Sequence, residues 1–173
     1  PGIRPALQPI ARNGATRSRG ISADRAMVAT LFTIGFTRSS AAHFFGRLEA
    51  AGVGTVVDVR LRPRSQLAGF AKQPDLAFLL ERVSGIACLE EARLAPAADA
   101  FSAYRRGAMD WEAYAAAYVR TLAARGIAGR LDPSAFHRAC LLCSEASAER
   151  CHRRLAAEHL AAAWSGAWRI THL

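Results

Sequence analysis

The stretch VATLFTIGFTRSSAAHFFGRLEAAGVGTVVDV, residues 28–59, carries the pattern that decides the fold. An apolar run at 28–34 ends at Gly35 and predicts a short buried strand. A helix follows, with its N-cap among residues 37–40, and glycines end it before a second buried run at 55–59. A strand, a helix and a strand in succession predict parallel strands joined by a right-handed crossover.

The alternation of strands and helices continues to the end of the chain. Further predicted elements are a helix from Pro74 to about residue 83, a weak strand at 86–89, a helix from about Asp110 to Arg125, a buried strand at 138–142, a helix capped by Ser147 with Glu149 in its first turn and running to about Trp164, and a last strand at 168–172. Residues 90–109 are predicted to be irregular. The order predicts an α/β fold: a single three-layer, Rossmann-like domain at 27–173, with a mostly parallel sheet and helices on both faces.

Residues 1–26 stand apart from this pattern. They contain Pro, Gly, Ser and five Arg without periodicity, and we predict a disordered leader or a non-native upstream segment. They supply +4 of the formal charge of +9, so the rest of the chain carries +5. This modest excess permits nucleic acid as a partner but does not require one.

The composition excludes membrane-spanning and disulfide-rich classes of protein. No apolar run is long enough to span a bilayer, and the N-terminus lacks the apolar core of a secretory signal. We therefore expect a cytoplasmic protein without a membrane partner. In that reducing compartment the four cysteines are core, metal-binding or reactive thiols.

Three segments should meet at one edge of the sheet. In parallel sheets, ligands bind outside the carboxyl ends of the strands, where helix N-termini and loop N–H groups are exposed. Residues 35–37 follow the first strand, residues 58–65 follow the second, and residues 143–145 follow a later one. We expect a ligand site there, with Gly35 and Thr37 in its wall.

The segment at 58–65 is rich in charge. Asp58 lies in an apolar run, where an unpaired carboxylate is costly, so it needs a partner such as Arg60, a backbone N–H or a ligand. Asp58 is either a catalytic group or a residue that anchors its own loop. The side chains of Arg60, Arg62, Arg64 and Ser65 are donors that suit the binding of a phosphate or carboxylate. The alternative is a set of solvated loop charges.

Residues 66–72 form an apolar stretch without periodicity, which is unusual for a loop. Gly69 would permit close backbone approach or a positive φ, and Phe70 would cover a planar ligand, so the stretch is interpreted as a lid. The alternative is that Leu67 and Phe70 only fill the core beneath a long connection.

The densest cluster of reactive groups is CSEASAERCHRR, residues 143–154. We expect Cys151 about one turn inside a helix, near a positive N-terminus that lowers a thiol pKa. Neighbours on a helix point about 100° apart, so Cys151 and His152 cannot be assumed to form a dyad. The candidate catalytic groups are Cys143, Glu145, Cys151 and His152, with Arg153 as an anion ligand.

Two other uses of the cysteines stay open. Cys143 and Cys151 with a neighbouring His or Glu could bind a metal, although their spacing is not that of a zinc knuckle and a fourth ligand must come from elsewhere. Free cysteine is also among the most buried residue types, so Cys88 and Cys140 are predicted to be core.

Five ordered blocks resemble a known family. They are TIGFT at 33–37, DVR at 58–60, SQLAGFAK at 65–72, LAP at 94–96, and LLCSE at 141–145 followed by CHRRL at 151–155. From about Ala29 to Leu173 they resemble the domain-of-unknown-function family 488 (DUF488), which implies a compact α/β domain and no established activity. The resemblance marks these recurrent residues without giving them roles: Gly35, Asp58, Arg60, Ser65, Gly69, Phe70, Cys143, Glu145, Cys151, His152 and Arg153. Cys88 and Glu90 stand where relatives tend to have Tyr and His.

Three hypotheses for function follow. The first is an enzyme acting on a small phosphorylated or nucleotide-like ligand, with Arg60 and Arg153 on the anion and Cys143, Glu145 or Cys151 in the chemistry. The second is a non-catalytic module that binds nucleic acid or a nucleotide through its Arg-rich loop. The third is a metal-binding redox sensor. The sequence names no cofactor, reaction or oligomeric state.

Overall fold

The structure, a computed structural model, describes residues 28–65 and 67–173. Its strands are β1 (Ala29–Gly35), β2 (Thr55–Asp58), β3 (Ala87–Glu90), β4 (Ala139–Cys143) and β5 (Trp168–His172). They form one parallel sheet in the order β3-β2-β4-β1-β5. The α/β prediction is confirmed. The expected leader at 1–26 lies outside the described residues.

The helices cover both faces of this sheet. They are α1 (Ala41–Ala51), α2 (Asp75–Leu79, continued by a π-helical turn at Leu80–Ser84), α3 (Ala98–Arg105), α4 (Trp111–Ala124) and α5 (His152–Ala163), with short 3₁₀ turns at Gly69–Ala71, Ala92–Leu94, Ile127–Arg130 and Pro133–Phe136. Helices α4 and α5 pack on one face with Leu31 and Leu141, and α1 and α2 pack on the other with Phe32 and Leu142. The result is the predicted three-layer arrangement.

Local capping explains where two helices begin. Ser40 precedes α1 and its side chain accepts a hydrogen bond from the His43 N–H, while Asp110 does the same for Ala113 before α4. Gly52 then ends α1 with a φ of 64°, a conformation that favours glycine. The N-cap predicted among residues 37–40 is confirmed at Ser40, and the predicted start of the later helix at about Asp110 is confirmed as well.

Two sequence predictions of helices were wrong. Helix α3 lies in the stretch predicted to be irregular; it buries no residue, so it has no apolar period to reveal it. Helix α5 begins at His152, because the Ser147 hydroxyl accepts from the Glu149 N–H in a turn instead of starting a helix. Cys151 is therefore the N-cap residue of α5 and does not lie one turn inside it.

The position of β4 brings the carboxyl ends of three strands together at one edge of the sheet. Strand β4 lies between β1 and β2, with Cys143 opposite Gly35 and Leu142 opposite Asp58. The ends of three strands that are distant in sequence thus adjoin, as predicted. No helix within the described ranges has the length and apolar character that a membrane span requires.

Candidate active site

A pocket of about 380 Å³ opens where the carboxyl ends of β1, β2 and β4 meet. Six of the predicted site residues line it: Thr37, Arg60, Ser65, Cys143, Glu145 and His152. The other six do not: Gly35, Asp58, Gly69, Phe70, Cys151 and Arg153.

Cys143 and His152 both line this pocket and lie next to each other. The Cys143 Sγ lies 3.7 Å from His152 Nδ1, and both residues are buried. His152 Nε2 lies 3.1 Å from the carbonyl oxygen of Val59. Because a carbonyl only accepts, the Nε2 atom carries a proton, and Nδ1 is left to exchange a proton with the thiol. The sequence alone did not show which cysteine His152 would pair with. In the structure it pairs with Cys143.

Cys151 supports the same thiol from the N-cap position of α5. Its sulfur lies within 4.8 Å of the Cys143 sulfur and of a His152 ring nitrogen. Interaction with the Cys151 thiol lowers the pKa of Cys143 well below its ordinary value, and the His152 imidazolium and the Glu145 N–H add to this, so burial is outweighed. The same pairing, together with burial, raises the pKa of Cys151. Burial lowers the pKa of His152, but the Cys143 thiolate reverses this and raises it overall.

Arg60 is held rigidly by Asp58. Its Nε and Nη2 atoms donate to the two Asp58 carboxylate oxygens at 2.8 and 2.6 Å, and its backbone N–H donates to the same side chain at 3.1 Å. Gln73 adds a further donor to Asp58 at 3.2 Å, and the guanidinium carbon lies 5.3 Å from the centroid of the Phe36 ring. These contacts are those of a loop anchor and positioning residue, which is one of the two roles predicted for Asp58.

Arg153 was predicted to bind an anion, but it is 1% exposed and its guanidinium contacts backbone carbonyls inside the protein. Its Nη1 donates to the Glu145 carbonyl and its Nη2 to the Ala146 carbonyl, so it clamps the loop after β4. The clamped loop can approach β1 only because residue 35 is a glycine: a Cβ there would lie 1.7 Å from the Glu145 carbonyl oxygen. The Thr37 N–H closes the contact by donating to the Ser144 carbonyl at 3.0 Å. Gly35 and Arg153 thus shape the pocket without lining it.

Gly69 and Phe70 do not form the predicted lid. The Phe70 ring packs in the core beside α1. Its centroid lies 5.5 Å from the ring centroid of Phe44 and 6.3 Å from that of Phe36. Gly69 has open space where a Cβ would stand, and its φ is not positive. The alternative prediction, that Leu67 and Phe70 fill the core beneath a long connection, holds for Phe70 but is wrong for Leu67, which is exposed and lines the pocket.

Helix α3 supplies pocket residues that sequence reasoning missed. Phe101, Ser102 and Arg105 line the pocket from α3, and Arg62 lines it from the segment after β2. Arg105 Nη1 donates to the Glu145 carboxylate at 3.0 Å, and both side chains are partly exposed. Glu145 therefore stands at the rim in an ion pair. The available signal was the spacing of Phe101 and Tyr104, too short to indicate a helix.

Comparison with known proteins identifies the family. A family model described as "Domain of unknown function DUF488" matches residues 40–160, well over half of the chain. The chain belongs to the DUF488 family. The matched range of this DUF488 protein contains β2, β4 and most of α5, and with them Arg60, Cys143 and His152. No curated protein and no solved structure matches the chain.

The cysteines of this DUF488 protein differ in environment. All four are free thiols within the described part of the chain, and Cys140 lies fully buried in the core, where burial raises its pKa. Cys143, Cys151 and His152 together offer three ligand atoms within 4.8 Å of one another. They could hold one thiophilic cation with an open position toward the pocket, since catalytic zinc sites use three protein ligands. Glu145, considered as a further ligand, turns to Arg105 instead.

Proposed function

We propose that this DUF488 protein is an enzyme that acts on a small phosphorylated or nucleotide-like ligand, with Cys143 as its nucleophile. The observation that carries the proposal is the 3.7 Å separation of the Cys143 Sγ and His152 Nδ1 atoms in the wall of a pocket that also contains Arg60. A thiol beside a base whose other nitrogen is held by a third group is the arrangement that activates nucleophiles.

The chemistry proceeds through proton exchange between these two residues. His152 takes the thiol proton at Nδ1, and the Cys143 thiolate attacks an electrophilic centre of the ligand. As the sulfur bond forms, the bond to the leaving group breaks, and the imidazolium returns its proton to that group. The hydrogen bond from Nε2 to the Val59 carbonyl keeps the ring in the required orientation throughout.

The pocket's other groups favour an anionic and partly planar ligand. Arg60 is pre-oriented by Asp58, and Arg62 and Arg105 also line the pocket, so several guanidinium donors face the same volume. Phe36 and Phe101 add aromatic surface on which a base could pack. A cavity of about 380 Å³ is within the size range of small-molecule sites.

The test is a thermal-shift screen of nucleotides and sugar phosphates, followed by mass spectrometry for an adduct on Cys143. A ligand at a hundredfold excess over its Kd stabilises the folded state by about 2.7 kcal/mol. We expect Arg60→Lys to lose most of the shift, because the ammonium cannot reproduce the planar fork. Arg169→Ala, an exposed site on β5, should keep it. Cys143→Ser should keep binding and lose the adduct.

Three outcomes would contradict the proposal. A screen without any stabilising phosphorylated compound would remove the ligand class. Binding only to nucleic acid, weakening steeply with salt and without turnover, would favour the binding-module hypothesis. Stoichiometric zinc in the purified protein, with Cys143 protected from alkylation, would favour the metal-binding hypothesis, which the Cys143, Cys151 and His152 cluster supports.

A further inference from the structure

Cys151 has no part in the reaction described above, although it lies beside the nucleophile. Its sulfur is within 4.8 Å of the Cys143 sulfur, and each residue is 2% exposed. Only Cys143 lines the pocket. A small oxidant can therefore reach Cys143 from the pocket, whereas Cys151 is buried and does not line the pocket.

The surroundings of Cys151 suit a thiol that attacks its neighbour. Arg153 Nη1 lies 3.5 Å from the Cys151 sulfur, so a cation stands where negative charge develops as that thiol loses its proton. His152 Nδ1 lies 3.7 Å from the Cys143 sulfur and can give a proton to a leaving oxygen there. Arg153 can thus stabilise negative charge on the Cys151 sulfur, while His152 can donate a proton at the Cys143 sulfur.

The chain between the two cysteines allows the sulfurs to approach. Residues 147–150, which follow the three carbonyls held by Arg153 and Thr37, contain turns and bends without helix or strand, and three of these four are exposed. Cys151 itself is the N-cap residue with extended backbone, outside the hydrogen-bonded helix. A movement that brings the sulfurs to the bonding distance of about 2.05 Å does not have to break β4 or α5.

We propose that Cys143 and Cys151 form a reversible disulfide when a hydroperoxide oxidises Cys143, and that this disulfide switches off the nucleophile. The Cys143 thiolate attacks the distal peroxide oxygen, the O–O bond breaks, and the leaving alkoxide or hydroxide takes a proton from His152. Cys143 is then a sulfenic acid. The Cys151 sulfur attacks the Cys143 sulfur, its proton goes to the departing hydroxide, and water leaves. Reduction by an external dithiol restores both thiols.

The experiment treats the full chain with a small excess of hydrogen peroxide and maps its tryptic peptides without reduction. Cleavage at Arg138, Arg150 and Arg153 puts Cys151 on the peptide 151–153 and Cys143 on 139–150, together with Cys140. Cys140→Ser removes that ambiguity and serves as the parent protein. We expect the two peptides to be joined, with the loss of two hydrogens, and to separate again after dithiothreitol.

Two variants of the Cys140→Ser protein decide the result. Adding Cys151→Ser should abolish the joined peptide, yield a sulfenic acid that dimedone traps, and lead to irreversible addition of two or three oxygens to Cys143. Adding Cys143→Ser should leave Cys151 unoxidised. The proposal is overturned if the parent protein accumulates singly oxidised Cys143 without the joined peptide, or if Cys151 oxidises equally well in the absence of Cys143.

Failure of this inference differs from failure of the proposed function. Iodoacetamide labelling of Cys143 and ligand-induced stabilisation are measured in reduced protein, where the disulfide plays no part. A reactive Cys143 that binds ligand but never joins Cys151 removes the switch alone. A joined peptide in a protein that no phosphorylated ligand stabilises removes the proposed function alone.

Discussion

The sulfur of Cys143 lies 3.7 Å from Nδ1 of His152, although the first residue ends strand β4 and the second begins helix α5. The turn between them reverses the chain, and the Arg153 clamp on the Glu145 carbonyl holds that turn in place. The carbonyl of Val59, the residue that follows β2, then orients the ring. Segments from three places in the sequence thus meet around one thiol.

The first prediction concerns the pH dependence of alkylation. Because the pKa of Cys143 is lowered, its thiolate should persist at pH values where an ordinary cysteine is protonated, and the rate with iodoacetamide should fall only as the pH drops through that lowered pKa. His152→Gln removes the imidazolium and should move the inflection upward. Cys140, fully buried with a raised pKa, should stay unlabelled in the folded protein and serves as an internal control. An inflection near the ordinary value of about 8.5 in the unaltered protein would contradict the prediction.

The second prediction concerns the ion pair that positions Arg60. Asp58→Asn leaves a buried guanidinium without its charged partner and should lower the free energy of unfolding by about 3 kcal/mol or more in urea titration. Glu91→Gln is the matched control, because Glu91 makes the same two-bonded pair with Arg93 at the surface. Solvent screening makes that pair weak, so the control should change stability far less. Equal effects from both variants would show that burial does not matter here.

The third prediction concerns the close contact at Gly35. Gly35→Ala would push a methyl group into the Glu145 carbonyl and should cost about 3 kcal/mol of stability, with slower alkylation of Cys143 as its loop moves. Gly46→Ala is the control, since a Cβ there meets nothing within 4 Å and the residue lies inside α1. It should stabilise the protein by roughly 0.5–1 kcal/mol. A neutral Gly35→Ala would mean that the loop after β4 adapts freely.

The fourth prediction uses two stacked tyrosines. Tyr114 is 1% exposed and its hydroxyl has no hydrogen-bond partner among the described residues, whereas the Tyr118 hydroxyl donates to the Leu94 carbonyl at 2.5 Å. Removing an unsatisfied buried hydroxyl relieves a desolvation cost, so Tyr114→Phe should raise the free energy of unfolding by about 1 kcal/mol. Tyr118→Phe should lower it by a similar amount. Denaturant titration of both variants checks the opposite signs; loss of stability in Tyr114→Phe would reveal a partner for that hydroxyl.

Strands and well-capped helices could be predicted because their signals are local. The run at 168–172 coincides with β5, and Ser40 and Asp110 cap the helices that follow them. Helix α3 could not be predicted, since a helix that buries no residue leaves no apolar period in the sequence. The start of α5 was misplaced because Ser147 can cap either a helix or a turn, and the choice depends on the loop held by Arg153.

The sequence by itself determined the parallel α/β class and the edge at which the reactive segments meet, because apolar periodicity and the order of elements follow from local burial and chain connectivity. The contacts of the individual side chains, in contrast, depend on the tertiary structure. It turned Arg153 inward to backbone carbonyls, brought Arg105 to the pocket, and paired His152 with Cys143. These outcomes depend on where side chains from separate elements end in space, which the spacing of residues along one chain does not contain.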